Sequence, residues 1–164
     1  MYSPVNKIGP FGAINPYTPK PNLLQPKEGS DTLPRFINFA ADYGGCGFWR
    51  IIWPEYLLNA DGNCAVNTTT FMSHDQRFYQ HAKAVKLQRQ AATQQKHFVR
   101  NLKKISEQLK FRMIYEIDDI PFREDIPDYN KHKPAFNNDE IRNNIKEIIE
   151  ICGNMTVTCK FMKD

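Results

Sequence analysis

The chain has 164 residues, of which 41% are hydrophobic, 12% aromatic and 24% charged. That suffices for one domain whose core needs neither disulfide nor metal to fold. No apolar run approaches the ~18 residues of a membrane span, and Met1-Tyr2-Ser3-Pro4-Val5 lacks a charged-then-apolar signal pattern; a soluble cytoplasmic protein with no membrane partner is expected. A formal net charge of +4, from 22 basic and 18 acidic residues, neither demands nor excludes nucleic acid.

Residues 1–34 carry seven of the eleven prolines. Proline removes a backbone donor and pushes its neighbours toward extended conformations, so this stretch reads as an arm, either docked or disordered. From Arg35 onward, strand-like and helix-like pieces alternate, the pattern of βα units on a parallel sheet. Phe36–Ala41 is the first expected strand, ending at Asp42-Tyr43-Gly44-Gly45. Phe48–Ala60 reads as a helix stopped by Gly62, with Pro54 either kinking it or opening a second helical piece. The β-branched run at Ala65–Phe71 and the alternating Ala82–Gln88 give strands two and three.

Gln90–Leu109 is the clearest helix, because Phe98, Leu102, Ile105 and Leu109 share one face. Arg112–Ile117 is the fourth strand. Asn138 caps a helix with the stripe Ile141, Ile145, Ile148, Ile149 and Cys152, Gly153 ends it, and Met155–Cys159 is the fifth strand. The expected fold is therefore α/β and Rossmann-like, a mostly parallel sheet of about five strands with flanking helices. Only Lys160–Asp164 follow, so the sheet reads as incomplete at its C-terminal end. Cys46, Cys64, Cys152 and Cys159 show no close metal-type pairing and read as reduced, mostly buried thiols.

In such sheets ligands bind beyond the carboxyl ends of the strands, so three loops carry the candidate chemistry. In the first, Gly44, Gly45 and Gly47 allow a sharp turn and close approach to a ligand, ahead of Phe48 and Arg50. Glycine needed only for the strand-to-helix turn accounts for the pattern equally well. It is neither a dinucleotide fingerprint nor a P-loop. The second is Gln88-Arg89-Gln90, a polar trio that breaks an apolar alternation. The third is Tyr115-Glu116-Ile117-Asp118-Asp119, where alternation puts Glu116 and Asp118 on one face, able to share a proton, bind a cation or orient a sugar. Capping and pairing with Arg112 or Arg123 is the structural alternative.

His74, His81, His97 and His132 have no metal-ligand spacing, and no nucleophile elbow is present. Nine basic residues between Lys83 and Arg112 against the single acidic Glu107 suit a solvated helix face or, less readily, a phosphate backbone.

Taken in order, the run Ala41–Pro54, then Leu87-Gln88-Arg89-Gln90, then Met113–Asp119 resembles the N-terminal half of glycosyltransferases with two Rossmann-like domains, the GT-B fold, most closely those encoded by large tailed bacteriophages. The resemblance spans about Arg35 to Asp164. It implies an acceptor-receiving domain in which Asp118 and Glu116 are catalytic and Gly44, Gly45, Gly47, Phe48, Arg50, Arg89 and Asp119 bind ligand. It also implies a nucleotide-sugar donor with no tightly held cofactor and no metal, a carbohydrate or other hydroxyl acceptor, and the cytoplasm of an infected cell as the setting. The second, donor-binding domain is expected on a separate chain, the whole being a truncated or split enzyme. The competing expectation is a non-catalytic, virion-associated assembly or binding module that reuses the half-fold.

Overall fold

The computed structural model describes residues 33–118, 127–129 and 133–158. The arm expected at 1–34 lies outside them except for its last two residues, as do Asp119 and Cys159.

Five strands, β1 (Arg35–Phe39), β2 (Ala65–Thr69), β3 (Ala82–Gln88), β4 (Arg112–Ile117) and β5 (Met155–Val157), form one sheet in the order β2-β1-β3-β4-β5. Every neighbouring pair is parallel, with Phe39 opposite both Thr69 and Leu87, and Gln88 opposite Glu116. This is the α/β, Rossmann-like arrangement expected. The chain first steps one way, from β1 to β2, then crosses back to β3 and continues the other way through β4 and β5. Right-handed crossovers then require the first helix on one face and the later helices on the other.

On one face lie Ile37, Phe39, Val85, Leu87, Met113, Tyr115 and Ile117. They are covered by α3 (Thr93–Leu109), through Phe98, Val99, Leu102 and Ile105, and by α5 (Asp139–Cys152), through Ile145, Ile148 and Cys152, with the short α4 (Lys133–Phe136) just before α5 in the chain. Both helical stripes match their sequence periodicity. The caps hold them in place: Gln95 Oε1 accepts from the amides of Ala91 and Ala92, 2.8 Å each, and Asn138 Oδ1 accepts from Glu140 (2.9 Å) and Ile141 (3.3 Å). α3 begins at Thr93 rather than Gln90, since Gln90 belongs to the turn after β3. Gly153 takes the left-handed conformation (φ 69°) that ends α5.

The crossover from β2 to β3 contains a 3-10 turn, Gln76–Tyr79, that the periodicity does not announce. It carries Tyr79 into the core, where its hydroxyl donates to Ser73 O at 2.6 Å.

Among the described residues, one helical stretch covers the opposite face. It opens with one α turn, α1 (Gly45–Gly47), widens into a π segment at Phe48–Ile52 and continues as α2 (Trp53–Asp61). Pro54 is the second residue of α2, directly after the π segment; Ile52 before it is itself helical, so the stretch runs on through the proline with a π widening and does not start anew with Pro54 at a first position. Phe48, Ile51 and Ile52 are buried, as is Val66 of β2. Beneath the helix the sheet is mixed: Phe36, Val66, Ala84 and Ile114 share it with Asn38, Thr68, Lys86, Gln88 and Glu116, the polar residues lying toward the carboxyl ends of the strands, a consequence of the two-residue strand period. Asn59 clamps α2 to β2, donating to Val66 O and accepting from Val66 N, both at 2.8 Å.

Candidate functional site

With this strand order the direction of winding reverses between β1 and β3, and the crevice beyond their carboxyl ends is where doubly wound sheets place ligands. All three loops singled out from sequence end on that edge, and side chains tie them together.

The loop after β1 is pinned at both ends. Tyr43 Oη shares a hydrogen bond with Thr70 Oγ1 (3.1 Å) beyond β2, and Cys46 O accepts from Gln88 Nε2 (3.3 Å) at the end of β3. Gln88 is fully buried and its other terminus, Oε1, accepts from the Ala41 amide at 3.1 Å. One side chain thus joins β3 to both sides of the glycine loop. Gln90 Nε2 donates back to Gln88 O (3.1 Å), and the Tyr115 hydroxyl donates to Gln90 O (3.0 Å). Burial is the main reason that the Tyr115 phenol sits above its ordinary pKa, so it acts as a donor at any physiological pH.

The three glycines differ in what the backbone asks of them. None of Gly44, Gly45 and Gly47 has positive φ; Gly44 is the extended cap residue, while Gly45 and Gly47 lie inside the first helical turn. A Cβ on Gly47 would lie 1.9 Å from Asp42 O, whereas a Cβ on Gly45 would meet nothing within 4 Å. Gly47 is therefore glycine because the backbone of its own loop passes against it. The Gly44 amide is taken by Asp42 Oδ1 at 2.8 Å. Phe48 faces inward, buried at 6% exposure, with Trp53 stacked on it at 6.1 Å.

The charged residues converge. Arg50, in the π segment, donates through Nε to Glu116 Oε1 and forms an ion pair with it. Arg89 Nε lies 3.7 Å from Asp118 Oδ1. Arg89 also holds left-handed backbone (φ 52°), which costs a non-glycine residue about 1 kcal/mol, and its amide donates to Glu116 O at 2.9 Å. That turn separates Gln88 from Gln90 and carries the guanidinium to the rim. Glu116 and Asp118, read from sequence as able to share a proton, each have their own arginine. Asp119 lies outside the described residues.

Three acceptor atoms at this edge are buried without a hydrogen-bond donor: Glu116 Oε2, Asp118 Oδ1 and Gln90 Oε1. Gln88 and Gln90 were legible only as a polar interruption of an apolar strand end; their bridging role needs three loops in register. Among the described residues no group of His, Cys, Asp or Glu is placed to hold a metal ion, and no helix is long and apolar enough to cross a membrane.

The basic run on α3 is largely spoken for. Arg100 and Lys96 both engage Glu147 of α5, Lys96 Nζ at 3.3 Å, and Lys103 pairs with Glu107 at 3.7 Å. Arg100, above all, holds the Glu147 carboxyl below its ordinary pKa. Such pairing leaves fewer cations for a phosphate backbone.

No family model, curated protein or solved structure matches this chain.

Proposed function

We propose that the crevice at the carboxyl ends of β1, β3 and β4 binds a neutral polyhydroxylated compound, as the acceptor half of a glycosyltransferase of the two-Rossmann-domain type. The observation that carries the reading is the set of three donorless buried acceptors, Glu116 Oε2, Asp118 Oδ1 and Gln90 Oε1. A buried acceptor left unpaired costs about 1–3 kcal/mol, and a ligand hydroxyl supplies the missing donor while its oxygen accepts from an arginine. A phosphate dianion has acceptors only and meets carboxylates here. The ordered motifs that resemble the phage-encoded enzymes point the same way.

In this reading Asp118, beside Arg89, takes the proton of the attacking hydroxyl. Glu116, held by Arg50, orients a second hydroxyl through its free oxygen. The acceptor oxygen bonds to the anomeric carbon of a nucleotide-sugar as the bond to the diphosphate breaks, the diphosphate leaving with the electron pair. In that fold the groups that stabilise the leaving charge come from a second Rossmann-like domain, while the residues here hold and deprotonate the acceptor.

Ligand-observed NMR against a panel of methyl hexosides and of UDP- and GDP-sugars tests the reading. Methyl hexosides are expected to bind, and Asp118→Asn or Glu116→Gln to weaken them about tenfold. Nucleotide-sugars binding more tightly than the hexosides, or indifference to both substitutions, would overturn it.

A further inference from the structure

The rim of the crevice does not stop at the charged cluster. Tyr43 and Phe71 stand beyond the carboxyl ends of β1 and β2, at the opposite end of the same edge from Glu116, with rings 41% and 72% exposed. Phe71 in particular gains little from folding as it stands, because a large apolar ring left in water forgoes the stabilisation of burial. Its place is nonetheless well defined: its amide donates to Thr69 Oγ1 (2.9 Å), and its carbonyl accepts from the Ser73 amide (3.2 Å). The hydrogen bond between Tyr43 and Thr70 joins the two aromatic segments, and the bond from Gln88 to Cys46 O joins the same loop to β3. One continuous, hydrogen-bonded rim therefore runs from Phe71 over β2 and β1 to Gln88 on β3 and Glu116 on β4.

Parallel neighbours are about 4.8 Å apart, so β2 and β4 stand about 14 Å apart along this rim, more than one hexose ring spans. The two ends differ in chemistry: acceptors and arginines over β3 and β4, aromatic rings over β1 and β2. A sugar ring has polar hydroxyls at its edge and C–H groups on its faces, so it can use the first through its hydroxyls and the second through a face.

We infer that the ligand of this crevice is an oligosaccharide of two or more rings, one ring gripped at Glu116 and Asp118 and a later ring packed on Tyr43 and Phe71. The inference rests on the saccharide reading above and adds the chain length. It is tested by calorimetry on the full chain with hits from an array of mono- to hexasaccharides. Affinity should rise about tenfold between one ring and three. Phe71→Ala should remove most of that rise and Phe71→Trp, which keeps a flat apolar face, should preserve it, with thermal melts confirming that both variants fold. Array hits whose affinity is flat with length, or a rise that survives Phe71→Ala, overturn the inference and leave the saccharide reading standing. An array without hits overturns both.

Discussion

The two faces of the sheet solve different problems. The face under α3 and α5 is apolar over β1, β3 and β4 and closed by two helices, whereas the face under α1 and α2 is crossed by Asn38, Thr68, Lys86, Gln88 and Glu116 and, among the described residues, covered by one interrupted helix. Burying apolar area on the first face supplies most of the stability, since each fully buried large aliphatic side chain contributes about 1.5–3 kcal/mol. The second face gives up part of that stabilisation to polar groups, three of them buried carboxamides or carboxylates: Asn38, Gln88 and Glu116. Buried acceptors without a hydrogen-bond donor and a left-handed Arg89 are destabilising features, and they cluster at the carboxyl edge of the sheet. Such concentration is the mark of a site rather than of a core.

The comparison breaks most readily on the apolar side. Leu102→Ala empties a fully buried position between α3 and the sheet and should cost about 2–5 kcal/mol in urea unfolding, with the m-value unchanged. A cost below 1 kcal/mol would mean that this face is not the stabilising one.

Gly47→Ala comes next, because the added methyl meets Asp42 O; about 3 kcal/mol of destabilisation is expected. Its partner Gly45→Ala has open space in a helical turn and should instead be neutral or stabilising by up to about 1 kcal/mol. Equal effects at the two positions would refute the close-approach explanation.

The Arg50 and Glu116 pair sharpens the contrast between stability and function. Arg50→Ala leaves Glu116 buried without its cation and should cost about 3 kcal/mol, while Arg50→Met with Glu116→Met should return to within about 1 kcal/mol of the parent and bind no saccharide. Restored binding in the double variant would show that the pair is structural only.

The smallest effect is a pH slope. Glu55, buried in the first turn of α2 and accepting from Thr68, has its carboxyl raised above the ordinary range, chiefly by desolvation. A raised carboxyl binds its proton more tightly when folded, so the stability it contributes is full below the unfolded pKa, about 4.3, and is lost as pH rises through the higher folded value. The slope cannot exceed about 1.4 kcal/mol per pH unit. Melts from pH 4 upward should show less of this decline in Glu55→Gln; identical profiles would place the titration elsewhere.

Much of the architecture was written locally. The boundaries of β3 and β4, the buried stripes of α3 and α5, and the cap at Asn138 follow from residue spacing and from side chains that bond within three residues, so they needed no knowledge of the rest of the chain. The parallel sheet followed from the alternation of those pieces. The three loops of the site were legible too, because glycine, carboxylate and arginine at strand ends stand out against an apolar period.

What tertiary structure alone decided was who meets whom. The partnership of Arg50 with Glu116 spans 66 positions, and the two hydrogen bonds of Gln88, from the Ala41 amide and to Cys46 O, span 47 and 42. The requirement at Gly47 depends on where the Asp42 carbonyl passes, and the distinction between the polar and apolar faces depends on which way the chain winds from β1. Spacing encodes a residue's own element because the backbone repeat is local. It encodes nothing about a neighbour brought in by crossover, since that depends on the strand order, and the strand order is a global outcome of packing both faces at once.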